Sequence, residues 1–569
     1  MLPHGTTVLD LRSLAAFRIL LSLYLLWDIY SRFFQYDPYD SAWYTSDPPH
    51  QSFLPVHDTP HKAPLHRFWF YRGNVFEQAM LMAFTFGLLL LQTFGCTWQH
   101  PTVVSVLIWI LVTSYQNRNM HVHDGSDSFV RHLLLWSISL PITNVWSVDS
   151  WKRRKQQEYE RRRNRNTKTS KQSTTKANDE MTMAVRGLPC LALTLQIALM
   201  YWGTVAHRTV DLYPLRDTSS DATSCWYCLW PRSEWMPPNL TAVHYAIAGS
   251  FATRDNVLTR LIISTPWISK SMTVMAMVGE TFLPLACLLD YQRRHLYGIL
   301  LWKLHFGLFL TLNLPSWQLV GMLTQVLWIP THVWDRLEAW WEGTNTDPVA
   351  VYKKTDADDR KEIYITKAQP NVSIKTLHPR NPVTAFLQLF WFVYMIYNWL
   401  GCRRWIPKHD NGDIGEGLRL SQYWVMYQTV SHVSQVHRLS GLVRQNETVP
   451  LDGTESEENV ERLDLFKFVK TGKFQSQEPL DVIITDMSSR YPSPRWERAF
   501  TTWSSDDTIR HFCQTMCYFV NRDRRKRGME PILSIELRTQ MLIIQPPGSE
   551  ERYWIKDQST DSVLAVECN

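Results

Sequence analysis

The sequence predicts a mainly α protein: a polytopic transmembrane helix bundle of about nine spans, followed by a small α+β extramembrane domain. Three observations predict it. Long apolar runs recur through the first 400 or so residues of the 569, and a hydrocarbon layer of about 30 Å takes roughly 20 apolar residues per helix. The 26 tryptophans and 23 tyrosines suit membrane interfaces, where an apolar ring and a polar tip are both satisfied. Beyond about residue 405 the chain becomes polar enough to fold in water. Mean hydropathy is slightly negative because long polar segments dilute the apolar ones.

Candidate spans cover residues 13–34, 75–95, 101–117, 128–146, 184–206, 270–290, 295–313, 315–333 and 382–400. The chain then divides into the first four spans (1–146), a basic loop (147–183), spans five to eight with an outer loop at 207–268 (184–335), a linker (336–381), a last span (382–400) and an outer domain (401–569). The first apolar stretch, LAAFRILLSLYLLWDIYSRFF, lacks a small-residue cleavage site and reads as a retained span. Residues Trp151 to Gln172 carry ten basic and two acidic residues, which places that loop in the cytoplasm by the positive-inside rule. Its Ser/Thr/Lys/Asn composition without interleaved aromatics reads as solvated and disordered, not as a nucleic-acid surface. Four spans precede it, so the N-terminus is expected in the cytoplasm, the linker 336–381 likewise, and the C-terminal domain outside. Glycosylation sequons at Asn239 and Asn446 fall on the outer side; a third at Asn371 falls inside. Cys96, Cys190 and Cys287 lie in or beside spans. The pair Cys225 and Cys228 lies in the outer loop, where members of structural disulfides are expected. The sequons and outer cysteines point to the endoplasmic reticulum or another secretory-pathway membrane.

The outer domain contains an amphipathic helix in SDDTIRHFCQTMCYFVNRDRRKRG. Ile509, Phe512, Cys513, Met516, Phe519 and Val520 form its apolar stripe. Acidic residues open it; basic residues and Gly528 close it, as the helix dipole favours. Alternation of Leu533, Ile535 and Leu537 predicts a half-buried strand, and LDVIITDM a second.

Ionisable residues inside the spans are the functional signal, because each costs about 2.5–3.5 kcal/mol at mid-bilayer and therefore faces partners. In the first span Asp28 and Arg32, four apart, share a face and can pair. Asn117 and Arg118 end the third span; Asp127 and Arg131 open the fourth, again four apart. His121, His123 and Asp124 between them lack further ligands at metal spacing, so a polar cap joining two helix ends is expected and no metal. Glu280 and His305 stand near the middles of two successive spans. Glu280 has no basic partner within a turn of its own helix, and the nearest cations on the next span are Lys303 and His305. Burial disfavours a charge and a neighbouring cation favours it, so a carboxylate under both influences can move protons. A helix-locking hydrogen bond is the other reading.

These residues fall in motifs that resemble the horizontally transferred transmembrane (HTTM) domain family. The resemblance rests on QNRNMHVHDGSDSFVRHLLLWSISLP, FRILLSLYLLWDIYSRF, WYTSDPPHQSFLP and TAVHYAIAGSFATR…TVMAMVGETFLPL…LHFGLFLTLNL, and covers about residues 10–335. LRLSQYWVMY, SPRWERAF and FCQTMCYFVNRD resemble the tails of bacterial members. The family includes the vitamin K-dependent gamma-glutamyl carboxylase. That enzyme deprotonates and oxygenates a quinol so that the product base removes a proton from peptide glutamate before CO2 adds. The resemblance implies a lipophilic, vitamin K-like quinone cofactor, carboxylase-like lyase chemistry on a peptide or protein at the outer side, and Glu280 and His305 as the membrane acid and imidazole. The family's base lysine corresponds to Arg208 in YWGTVAHR. Arginine keeps its proton and orients an anion instead; a one-residue shift in register brings His207, which titrates near neutrality, to that place. A non-catalytic membrane protein whose outer domain binds a partner or peptide is the alternative.

Overall fold

The computed structural model describes residues 8–36, 38–44, 53, 75–97, 100–119, 122–167, 183–209, 234–250, 253–342, 352–354, 363–365, 374–379, 381–402, 420, 433–444, 460–477, 490–502, 506–549, 553–555 and 562–568. A short strand β1 (Val8–Asp10) leads into α1 (Leu11–Phe33), capped by the Asp10 carboxylate, which accepts from Arg12 N. Then come α2 (Tyr39–Ala42), α3 (Val75–Phe94), α4 (Pro101–Asn117) and α5 (Gly125–Ser137). α5 opens on a reciprocal cap in which Asp124 accepts from the Asp127 amide and Asp127 from the Asp124 amide. The basic segment expected to lack regular structure carries α6 (Val148–Thr167). Its straight-chain Lys, Arg, Gln and Glu side chains favour helix without needing a core.

The second half of the bundle comprises β2 (Ala184–Arg186), α7 (Leu188–Thr209), α8 (Ala242–Gly249), α9 (Val257–Ser264), α10 (Pro266–Leu289), α11 (Arg294–Thr311) and α12 (Pro315–Thr324), which tightens into a 3-10 turn at Gln325–Trp328. α10 and α12 begin on prolines, whose missing N–H is harmless there. α13 (Thr331–Trp341), a two-stranded ribbon of β3 (Tyr352–Lys354) and β4 (Ile363–Ile365), β5 (Ile374–Thr376) and α14 (Pro382–Cys402) complete it. β1, β2 and β5 form a small sheet at the end where α1 begins.

Five described helices are long and apolar enough to cross a membrane: α1, α3, α7 as far as Ala206, α10 and α14. The expectation of nine spans is therefore not supported. At 1.5 Å per residue, the 13 residues of α5 and the 10 of α12 rise about 20 and 15 Å, short of the hydrocarbon layer. α4 has 17 residues, and α11 carries Arg294, Lys303 and His305 in its 18. α1 and α7 are mostly buried, whereas α10 and α14 present Val274, Met275, Val278, Phe282, Phe386, Leu387, Leu389 and Val393 outward. Apolar faces of that size belong against lipid.

The C-terminal module contains β6 (Val433–Arg444), β7 (Val460–Asp464), α15 (Leu465–Thr471), α16 (Pro494–Thr502), α17 (Asp506–Lys526), β8 (Ser534–Ile544), β9 (Tyr553–Ile555) and β10 (Ser562–Glu567). Its sheet is antiparallel in the order β10-β8-β6-β7, with β9 beside β8 and Leu439 opposite Leu537. α17 buries Phe512, Cys513, Met516, Phe519 and Val520 as its stripe predicts. Leu533 is exposed and precedes β8, in which Ile535, Glu536 and Leu537 are all buried; a central strand need not alternate. Cys517 and Cys568 form a disulfide tying α17 to the chain after β10. LDVIITDM, Asn371, Asn446, Cys225 and Cys228 lie outside the described residues. The module shares one apolar core with the bundle, where Trp43 stacks on Phe512 at 5.7 Å and meets Trp496 edge-on at 5.4 Å.

Candidate functional site

Two polar centres are buried in the bundle. The first is built on α7. Tyr201 and Arg208 are seven residues apart, so two helical turns put them on one face. That face meets α10 and α11. Tyr201 donates its hydroxyl proton to His305 Nε2 at 2.7 Å, and His305 Nδ1 lies 3.0 Å from Gln318 Oε1. An amide oxygen only accepts, so the imidazole proton sits on Nδ1 and the Nε2 lone pair faces the phenol. Gln325 donates to the Tyr201 oxygen at 3.1 Å and to the Gly321 carbonyl at 2.8 Å. α12 approaches the imidazole closely only because residue 321 is glycine: a Cβ there would lie 2.3 Å from His305 Cε1.

One α7 turn-pair further along, Arg208 Nη1 donates to Glu280 Oε2 at 2.8 Å. The guanidinium lies over the Trp235 ring, 3.9 Å from its centroid, an arrangement that adds a cation–π attraction. Trp202 Nε1 donates to the Thr281 carbonyl at 3.0 Å and fixes α7 against α10. Tyr201 and Arg208 stand on the same face of α7, so the two pairs line one side of that helix and belong to one centre.

Glu280 and His305 are not hydrogen-bonded to each other, and Lys303 is exposed. The expected contact across two successive spans is thus replaced by two contacts to a third helix, α7. A helix facing both α10 and α11 supplies partners at two depths, which adjacency in sequence does not reveal. His207 lies on α7, with its side chain outside the described residues.

The second centre joins the bundle to the C-terminal module. Arg32 Nε donates to Asp28 Oδ2 at 2.8 Å, the pair expected from their spacing, and Arg32 also bonds Asp127 and the Tyr44 hydroxyl. Arg495, at the start of α16, donates to Asp28 Oδ1 at 2.8 Å and the Val122 carbonyl at 3.0 Å, and lies 3.5 Å from Asp127 Oδ2. Burial and neighbouring Arg32 pull the Arg495 pKa down; Asp127 and Asp28 more than offset this and hold it above the ordinary arginine value. Tyr115 donates to Asp28 and Gln116 to Asp127. Arg131 bonds Gln116, Ser128 and His123. Arg118 and Asn119 donate to the carbonyls of Tyr44 and Trp43, while Asn117 ends α4 half-buried. With His123 on Arg131 and Asp124 capping α5, this cluster is a polar cap that locks helix ends together.

Asn239 sits half-buried in a turn. Sequence reasoning missed Tyr201 as the imidazole's partner and did not pick out Gln318 and Gln325. Two glutamines seven apart in an apolar run were the available signal. It also missed Arg495, whose only mark was its place in SPRWERAF.

Comparison with family models, with curated proteins and with solved structures finds no match to this chain.

Proposed function

We propose that the chain is an HTTM-like integral membrane protein. Its centre on α7, α10, α11 and α12 handles protons for a lipophilic quinone-type molecule, in chemistry akin to vitamin K-dependent carboxylation. The observation that carries this reading is the Tyr201–His305–Gln318 chain. Gln318 fixes the tautomer, His305 Nε2 is left as a base, and Tyr201 is the hydroxyl that gives it a proton. The buried Arg208–Glu280 pair supplies a fixed dipole beside it.

The residues fit such a molecule in part. A ring hydroxyl can take the place of Gln325 as donor to the Tyr201 oxygen. The lysine's task finds no counterpart in Arg208, which is ion-paired, stacked on Trp235 and permanently charged. A bound quinol would supply the oxygen-derived strong base; this chain's own residues would orient it, exclude water and relay its proton, the Tyr201 oxygen taking up the ring hydroxyl's proton as the Tyr201 proton passes to His305 Nε2.

The proposed orientation puts the N-terminus and α6 in the cytoplasm and the C-terminal module outside, in a secretory-pathway membrane. The basic charge of α6 supports it. So does the Cys517–Cys568 disulfide, since such bonds persist in oxidising compartments.

The test is direct. Protein purified in mild detergent is extracted for a bound quinone, then supplied with vitamin K hydroquinone, labelled bicarbonate and a glutamate-rich peptide. Tyr201→Phe and His305→Gln are expected to abolish label incorporation at unchanged expression. Absence of both quinone and label in the wild type sinks the reading. A second reading, a non-catalytic protein whose outer module binds a partner, is favoured by one fact: Glu280 and Arg208 neutralise each other and both His305 nitrogens are occupied. Loss of folding, with no activity to lose, on Glu280→Gln and His305→Gln is its signature.

A further inference from the structure

We infer that the outward face of α11 is a docking site for a transmembrane helix of another protein, one that carries an aspartate or glutamate near its middle. Lys303 is the cation that receives the carboxylate, and Gly307, one turn on, is where the two backbones come closest. The inference rests on the membrane reading and adds a class of partner to it.

Depth comes first. α10 is one of the five helices able to cross a membrane, and α11 follows it after a turn at 290–293. At its far end the Thr311 carbonyl accepts from the Arg254 amide at 2.9 Å, and the Leu310 carbonyl from Asn256 Nδ2 at 2.8 Å, just ahead of α9 and α10. α11 therefore runs antiparallel beside α10. Lys303 is nine residues from Arg294 and eight from Thr311, about 14 and 12 Å from the two ends of its helix. A four-carbon stem does not cover that distance, so snorkelling leaves the ammonium short of either headgroup layer. A charge at such depth is costly and calls for a partner.

The chain supplies none. Lys303 is exposed, and its ammonium has no hydrogen-bond or ion-pair partner among the described residues. Glu280 on α10 is buried and turned to Arg208 instead. Around Lys303 the side chains of Leu296, Ile299, Leu300, Phe306 and Leu310 recur at helical spacing and are each 40–49% exposed. Trp302 and Phe306 stack at 5.0 Å beside it. Lipid satisfies those apolar side chains and leaves the ammonium bare; a carboxylate set in an apolar helix satisfies both. A Cβ at residue 307 would meet nothing within 4 Å, so the chain's own packing does not need this glycine, and a second helix can approach closely there. A second copy of the chain does not bring the acid. On the five apolar helices the carboxylates are Asp28 and Glu280, both buried in ion pairs, and Glu77 in the first turn of α3. The carboxylate of a lipid lies in the headgroup layer and not at this depth.

The experiment uses the full chain reconstituted in phosphatidylcholine vesicles, with a donor dye at its N-terminus. The probe is a synthetic transmembrane helix of leucines with one central glutamate and an acceptor dye; versions with glutamine or leucine at that place are the controls. Energy transfer is expected to show the glutamate helix bound on the order of tenfold more tightly than either control. Lys303→Met is expected to bring all three to parity at an unchanged thermal midpoint, Lys303→Arg to keep the preference, and Gly307→Leu to weaken all three. Parity in the wild type, or an undiminished preference in Lys303→Met, overturns the proposal. Oleate that removes the preference as well as excess unlabelled glutamate helix does assigns the lysine to a lipid carboxylate and overturns it too, as does self-association of the chain that Lys303→Met abolishes. A protein that stays in solution without detergent sinks the membrane reading; one that needs detergent yet binds the three helices alike sinks only this inference.

Discussion

Replacing Arg495 by methionine tests how the C-terminal module is held on the bundle. Asp28 and Asp127 are 0% exposed and are held by two guanidiniums, Arg32 and Arg495. Methionine keeps most of the volume and removes one cation, one ion pair of 2.8 Å, one of 3.5 Å and the bond to Val122. Two buried carboxylates then share Arg32. Removing one partner from a buried pair costs about 3–5 kcal/mol, because the other charge stays desolvated. The interface keeps its aromatic contacts among Trp43, Phe53, Trp496 and Phe512, so the module is expected to undock before it unfolds. At about 1.4 kcal/mol per tenfold, the lower figure raises the undocked population on the order of a hundredfold. Limited proteolysis of the intact protein in detergent reads that population when opening is fast relative to cleavage. Adding Asp28→Asn should recover part of the loss by removing the stranded charge. Cleavage of the single variant within threefold of wild type would refute the reasoning, and the cluster would then be hydrated.

Two further outcomes follow from other residues. His437 on β6 is buried, and burial lowers its pKa from the ordinary 6.5 to about 4. Between those values the unfolded chain binds the proton and the folded module does not, so stability falls as pH drops from about 6.5 through 4. The loss is about 3 kcal/mol if the full shift is realised; acid unfolding followed by circular dichroism should lose this slope in His437→Gln, and an unchanged slope would exclude the role. Gly321→Ala forces α12 or the His305 ring to move, because the new Cβ would lie 2.3 Å from Cε1. A cost of about 1–3 kcal/mol should appear as a lower thermal midpoint, and wild-type stability would show that α12 adjusts freely.

Local patterns were legible in the chain wherever one helix settles the matter. The stripe of α17, its charged ends, the Asp28–Arg32 pair and the apolar faces of α10 and α14 all follow from spacing and composition. So does the expectation that Glu280 and His305 are buried, since an ionisable group in hydrocarbon must turn inward. Only the tertiary structure decided their partners. Tyr201 lies 104 residues from His305 and Arg208 72 residues from Glu280, and Arg495 lies 467 residues from Asp28. Span number was misread for the same reason: apolar composition marks burial, and a short helix enclosed by protein is as apolar as one that meets lipid. Sequence sets which groups must be hidden from water; packing alone chooses what each of them is hidden against.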